Sequence, residues 1–235
     1  MDRSDAERLM KAACDFQALS HQAREVCRDQ YRKEEKNEDN IIRILIDGQI
    51  AYLATKTTEK IEKTSPEVSY QIVASASFVR THFVITDMIL NGDLVEAATL
   101  IRKQLEAVSR LVEIDTIPLD KLLGKTPNIG TVLKQGTGRI YGVLSQVAHS
   151  ATPDIAEYLH VVESGDQIGP SLIPRFTDKS RLCSDINSFL ALFFLAWLVQ
   201  KLPSWYPAYD NTNDLAVLAN TYLLAKDVDL IRFPE

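Results

Sequence analysis

Residues 91–114 read NGDLVEAATLIRKQLEAVSRLVEI, and they contain the signals that decide the fold. The first three residues are a turn signature, and Gly92 suits the left-handed residue that ends a helix. The apolar residues after the turn recur every three or four positions, which is the period of one buried helix face: Leu94, Ala98, Ile101, Leu105, Val108 and Val112. The stretch therefore predicts two helices that meet at this turn as an antiparallel hairpin.

The same helical period recurs in the other apolar segments of the 235-residue chain, which has only nine glycines and nine prolines. We therefore predict an all-α fold, a helical bundle of six to seven helices in a single domain over residues 1–235. It comprises a long N-terminal helical hairpin at 4–63 and a core bundle at 66–235. Valines and a Ser-Gly-Asp turn predict a small irregular or β-hairpin insertion near 160–175.

Several helix ends carry recognisable signals. Ser4 and Glu7 have the spacing of a capping box, which places the start of the first helix at Ser4. Ser65 and Pro66 have the N-cap and first-position chemistry of a helix start. The last two helices are predicted over 178–202 and 214–227.

Composition and charge restrict the function. The formal net charge is -6 and no block of basic residues is present, so binding of nucleic acid through a broad positive surface is disfavoured. Three widely spaced cysteines without a CxxC pair suggest neither a disulfide framework nor a metal site. The most apolar stretch, residues 189–199, is about 16 Å long as a helix and is predicted to be a buried core helix. We predict a cytoplasmic protein with no membrane partner, no metal and no cofactor.

Arg102 and Glu106 lie one helical turn apart at the edge of the apolar stripe. One interpretation is an intrahelical ion pair on a half-exposed edge, which contributes a few tenths of a kcal/mol. The other is a pair that faces a second helix, where Arg102 holds an anion or orients a partner.

Residues 139–150 read RIYGVLSQVAHS and predict another helix, with Ile140, Val143, Leu144 and Val147 as its buried stripe. Tyr141, Ser145 and His149 recur every four residues, and each such step rotates by roughly 40° about the helix. His149 therefore turns away from the stripe. A serine nucleophile beside a histidine base also needs an oxyanion hole and an orienting group, and no GxSxG motif surrounds Ser145.

Together, these two helices resemble a loosely defined group of bacterial helical proteins that pair a helix of the type "eA..l.R...E" with a later "Y..LS...H". The resemblance covers about residues 85–155. That group is compared with HEPN domains, helical bundles of toxins, abortive-infection systems and other defence proteins, many of them dimeric ribonucleases. The resemblance implies that the two helices form one polar site between them. Arg102 and Glu106 of the first helix would meet Tyr141, Ser145 and His149 of the second.

The chain departs from the ribonuclease motif of these domains, in which an arginine precedes a histidine by four to six residues on one helix. Arg139 and His149 have nine residues between them. We therefore expect the protein to be a HEPN-like binding or assembly module in a bacterial defence or toxin–antitoxin context. It associates with itself as a homodimer or with another protein, and the five polar residues form a structural or ligand site.

Two alternatives stay open. The first is a metal-independent ribonuclease, in which His149 is the general acid or base and Arg102 supplies positive charge from the neighbouring helix. Glu106 is the remaining catalytic candidate, and RNA is a partner only under this alternative. The second is a small-molecule sensor whose anion docks on Arg102.

Overall fold

The computed structural model describes residues 2–56, 60–61, 64–131, 137–149, 155–164 and 167–230. These residues form nine α-helices, one 3₁₀ helix and a two-stranded sheet, which confirms the all-α prediction. The elements are α1 (Arg3–Glu34), α2 (Asn37–Lys56), α3 (Pro66–Asn91), α4 (Leu94–Ile114), α5 (Leu119–Leu122), the 3₁₀ helix (Ile129–Thr131), α6 (Thr137–Ala148), α7 (Ile155–Leu159), β1 (Val161–Ser164), β2 (Gln167–Pro170), α8 (Lys179–Trp205) and α9 (Thr212–Asp227).

The two ends of α3 have the geometry that the sequence predicts. The Ser65 side chain accepts a hydrogen bond from the Val68 amide at 3.2 Å, and Pro66 is the first helical residue. The helix ends at Gly92, which is left-handed with φ of 78°. The Gly92 and Asp93 amides then donate to carbonyls of the last turn. α3 and α4 pack against each other, as the turn predicts.

The first two helices differ from the prediction in their ends. α1 begins at Arg3, and Glu7 forms an ion pair with Arg3 at 3.0 Å, so Ser4 and Glu7 do not form the predicted capping box. The predicted continuation of α2 to residue 63 lies partly outside the described residues. α1 packs mainly against α3, whereas α2 packs against α8 and α9. Each half of the N-terminal segment is therefore attached to a different part of the bundle.

The core is built around α4 and α8, which pack against each other and against α3. Phe78 of α3 stacks on Phe194 of α8 with ring centroids 4.1 Å apart, and Trp197 contacts the rings of both Phe194 and Trp205. Stretch 189–199 lies in the middle of α8 and is largely buried, which confirms the predicted core helix.

Two helices, α3 and α8, are long and apolar enough to cross a membrane when judged by length and composition alone. In α8, 61% of the most apolar window is buried inside the fold, against 28% in α3. Burial of this extent is typical of the core helix of a bundle, which is the position that α8 occupies. A cytoplasmic location stays a prediction.

α8 continues past its predicted end at Leu202 and passes through Pro203 to Trp205. A proline inside a helix has no N–H, so the carbonyl four residues earlier loses its partner. Here that carbonyl belongs to Val199, and it accepts a hydrogen bond from the Asn211 side-chain amide at 3.1 Å. The predicted end was wrong because a side chain outside the helix replaces the missing amide.

The insertion predicted near 160–175 contains a β-hairpin. β1 and β2 pair antiparallel, with Val161 opposite Pro170 and Ser164 opposite Gln167. The hairpin prediction is therefore confirmed, and the two residues that join the strands lie outside the described part of the chain.

Candidate functional site

Helices α4 and α6 supply the side chains of the candidate site. Arg102 and Glu106 lie at the edge of the buried face of α4, and their side chains are 20% and 28% exposed. α6 packs against α4 and buries Leu144 and Val147 in the core. This packing brings Tyr141, which is half-buried, beside the polar edge of α4.

Four of the five predicted site residues meet, and we call Arg102, Glu106, Tyr141 and His149 the Arg102 cluster. Arg102 Nη1 lies 2.8 Å from His149 Nε2, and Nη2 donates to the Tyr141 hydroxyl at 3.2 Å. That hydroxyl donates to Glu106 Oε1 at 3.1 Å. Glu106 Oε1 is also 3.2 Å from Arg102 Nε, as an ion pair. The guanidinium carbon lies 5.3 Å from the centroid of the Tyr141 ring.

The contact between Arg102 and His149 defines the hydrogen-bonding role of the imidazole. A guanidinium group donates hydrogen bonds and accepts none, so in the 2.8 Å contact Nε2 of His149 is the acceptor. The lone pair of Nε2 is therefore occupied by Arg102. It becomes available for general-base chemistry when this contact breaks.

Charge within the Arg102 cluster is balanced, while the buried Arg102 Nε lacks a hydrogen bond among the described residues. The Glu106 carboxylate compensates the Arg102 cation, and the Tyr141 hydroxyl uses both its donor and its acceptor. His149 is the exposed member of the group. The cluster thus links α4 to α6 and positions the His149 imidazole at the surface.

Ser145, the fifth predicted residue, is half-buried and lies outside these contacts. Its hydroxyl has no hydrogen bond to any of the described residues, and its carbonyl accepts a bond from the His149 amide at 3.0 Å. That bond belongs to the last turn of α6. Within the described chain, Ser145 and His149 therefore lack the contact of a nucleophile with its base.

The helical wheel predicted the α6 face only in part. Leu144 and Val147 are buried as predicted, but Val143 is exposed. His149 follows the last helical residue, so the rotation of an ideal helix does not apply to it, and its side chain can reach Arg102. The structure does not describe the side chains of Ile140, which was predicted to be in the buried stripe, and of Arg139. Arg139 is the residue that was compared with the arginine of the ribonuclease motif.

Another histidine lies in the core of the fold. His82 is buried, and its Nε2 is 2.7 Å from Asp47 Oδ1, so it is a hydrogen-bonded core residue. Across the described ranges, no group of three or more His, Cys, Asp or Glu side chains is placed to hold a metal ion.

Sequence reasoning missed the polar contacts of Asp115, which follows α4. Its carboxylate accepts hydrogen bonds from the Gln71 side-chain amide at 2.8 Å and from the Trp197 indole at 2.9 Å. Lys201 Nζ lies 2.6 Å from the same carboxylate. Gln71 and Trp197 are 44 and 82 residues away along the chain, so no local motif could reveal these contacts.

A second polar region surrounds a cavity of about 10 Å³ between α1, α2 and α8. Arg43 donates to Glu35 through Nε and Nη2 at 3.0 and 3.1 Å, and the Tyr31 hydroxyl donates to Ser184 at 2.8 Å. Burial raises the pKa of Tyr31 to about 12, so its hydroxyl stays protonated at neutral pH. A cavity of this size holds about one water molecule and is too small for a small-molecule ligand.

Comparisons of the chain with protein-family models, with curated proteins and with solved structures find no match. The resemblance to HEPN-like proteins therefore stays a prediction, supported by the two motifs on α4 and α6.

Proposed function

We propose that the protein is a HEPN-like helical binding and assembly module that associates with itself. The observation that carries this proposal is the exposure of large apolar side chains on the long helices α1, α2 and α9. Contiguous exposed apolar surface is rare on monomeric proteins and is typical of interaction sites. The motif resemblance extends the proposal to a bacterial defence or toxin–antitoxin context.

In this proposal the Arg102 cluster is a structural or ligand site. Several of its hydrogen bonds involve charged groups. A well-formed hydrogen bond of this kind contributes about 1.5 to 3 kcal/mol to stability. An anion sensor is less well supported, because an anion at Arg102 would have to compete with Glu106, which is 3.2 Å away.

Light scattering tests self-association directly. We expect the purified protein at micromolar concentration to have about twice its chain mass of 26.4 kDa. The apparent mass should fall on dilution, because an exposed helix face gives a reversible interface. A strictly monomeric protein at these concentrations would contradict the proposal.

A metal-independent ribonuclease is the second candidate, and the 2.8 Å contact between Arg102 and His149 favours it. Once Arg102 moves off Nε2, the His149 imidazole could take the proton of a ribose 2′-hydroxyl, while the guanidinium stabilises the negative charge that develops on the phosphate. These roles require RNA to displace Arg102 from its partners. The net charge of -6 gives little general attraction for RNA.

Cleavage of single-stranded RNA in the presence of EDTA tests this candidate. We expect His149→Ala and Arg102→Ala each to lower the rate by about 100-fold or more, because a general base and a charge-stabilising group contribute that much. Ser145→Ala is the matched control, since its hydroxyl lies outside the cluster, and it should retain the rate. Circular dichroism establishes that each variant is folded. Absence of cleavage by the wild type, or full activity in either of the first two variants, would exclude the ribonuclease.

A further inference from the structure

Helix α2 is apolar on two opposite faces. Ile42, Ile46, Ile50 and Leu53 form its buried face against the core. On the opposite face lie the residues that we call the outer stripe: Ile41, Ile44, Leu45, Gly48, Ala51 and Tyr52. Ile41, Ile44, Leu45 and Tyr52 are 45%, 56%, 37% and 50% exposed. Lys56 Nζ lies 4.4 Å from the centroid of the Tyr52 ring at one end of the stripe. The rest of this apolar face is exposed, and such a face is normally covered by another surface.

No charge interrupts the outer stripe. Arg43 and Asp47 are the charged residues between positions 41 and 55, and both are engaged away from it. Arg43 bonds to Glu35, and Asp47 to the buried His82. The stripe, from Ile41 to Tyr52, is therefore made of uncharged side chains and is about three helical turns long.

Gly48 lies at the centre of the outer stripe. A Cβ atom placed there would meet nothing within 4 Å, so no contact inside the chain requires a glycine. Glycine in a helix interior is destabilising relative to alanine. Because Gly48 has no side chain, the backbone of another molecule can approach α2 closely at this point.

Charges at the two ends of the stripe indicate what covers it. Glu38 and Lys56 are 18 residues apart, which is about five helical turns, so they lie on the same side of α2. Both are exposed, and their midpoint is one residue before Gly48. Within its own chain, Lys56 Nζ lies 4.4 Å from the Tyr52 ring centroid and 5.5 Å from that of Tyr209, so its positive charge is held at the end of the stripe. An antiparallel second copy of α2 would therefore place Glu38 near Lys56 of the second copy at both ends. A parallel copy would instead place like charges together.

We propose that the outer stripe of α2 docks a second copy of this chain, with the two α2 helices antiparallel and crossing at Gly48. This inference rests on the proposed self-association and specifies its surface. A twofold axis through Gly48 makes the contact isologous, as in most homodimers. It places Leu45 of one copy beside Tyr52 of the other, so the aromatic and aliphatic side chains cover each other.

Ile44→Glu tests the surface, because it places a charge inside the docked face. We expect the dimer dissociation constant, measured by light scattering or sedimentation over a dilution series, to rise by about tenfold or more. The matched control is Val73→Glu on α3, where the valine is 70% exposed and outside the stripe. It should leave the constant unchanged, and circular dichroism should show both variants folded.

Charge reversal tests the antiparallel arrangement. Glu38→Lys and Lys56→Glu should each weaken the dimer by about threefold to tenfold, because each places like charges together. The double variant should restore the wild-type constant. Residues that act only within their own chain would not show this restoration.

The outcomes separate the inference from the proposed function. A monomeric wild type overturns both. A dimer that survives Ile44→Glu unchanged, or that is weakened equally by Val73→Glu, overturns the α2 surface and leaves self-association standing. A double charge reversal that stays weak overturns the antiparallel arrangement.

Discussion

Replacing Gly92 by alanine is expected to lower the free energy of unfolding by about 2 to 5 kcal/mol. Two effects add at this position. The left-handed φ of 78° costs a residue with a side chain about 1 to 2 kcal/mol. The new Cβ would also lie 2.9 Å from both the Arg175 carbonyl oxygen and Cys27 Sγ, and such overpacking costs about 1 to 3 kcal/mol. Urea denaturation followed by circular dichroism measures the change.

Gly124→Ala is the matched control for Gly92→Ala. Gly124 also has a positive φ, of 74°, but a Cβ there would meet nothing within 4 Å. We expect this variant to lose about 1 to 2 kcal/mol, from backbone conformation alone. Equal losses at the two glycines would contradict the close contact of Gly92 with Cys27 and Arg175.

Asp115→Ala is expected to lower the free energy of unfolding by about 1 to 3 kcal/mol. The substitution leaves the buried Trp197 indole N–H without its acceptor, whereas the Gln71 amide keeps the Leu111 carbonyl at 3.5 Å. Each buried donor left unpaired costs about 1 to 3 kcal/mol. The loss would appear as a lower urea midpoint with an unchanged slope.

Lys201→Ala separates hydrogen bonding from charge at the same carboxylate. Lys201 is the partly exposed partner of Asp115, so its removal should cost about 1 kcal/mol or less. A loss as large as that of Asp115→Ala would mean that the ion pair, and not the buried donors, makes this carboxylate important.

The sequence predicted those parts of the fold that depend on local signals. Ser65, Pro66 and Gly92 mark the ends of α3 through chemistry that acts within one turn, so both ends were predicted correctly. The end of α8 could not be predicted in this way. Pro203 normally stops a helix, and its tolerance here depends on Asn211, which lies beyond the helix.

The candidate site shows the same division between local and distant information. Arg102 and Glu106 share a helix at a spacing of four, so their pairing followed from α4 alone. Their contact with α6 was expected only through the resemblance, since periodicity does not determine which helices become neighbours. The contacts of Asp115 could not be predicted, because its partners come from α3 and α8 and only tertiary packing brings them together.

The hydrogen bond from Asn211 to the Val199 carbonyl also affects how the C-terminal part of the bundle unfolds. Val199 is fully buried, so its carbonyl has no access to water while α8 stays in the core. If α9 detached and took Asn211 with it, this carbonyl would be left unpaired, at a cost of about 1 to 3 kcal/mol. Local opening of α9 alone is therefore penalised, and α8 and α9 behave as one cooperative unit whose backbone amides become accessible together.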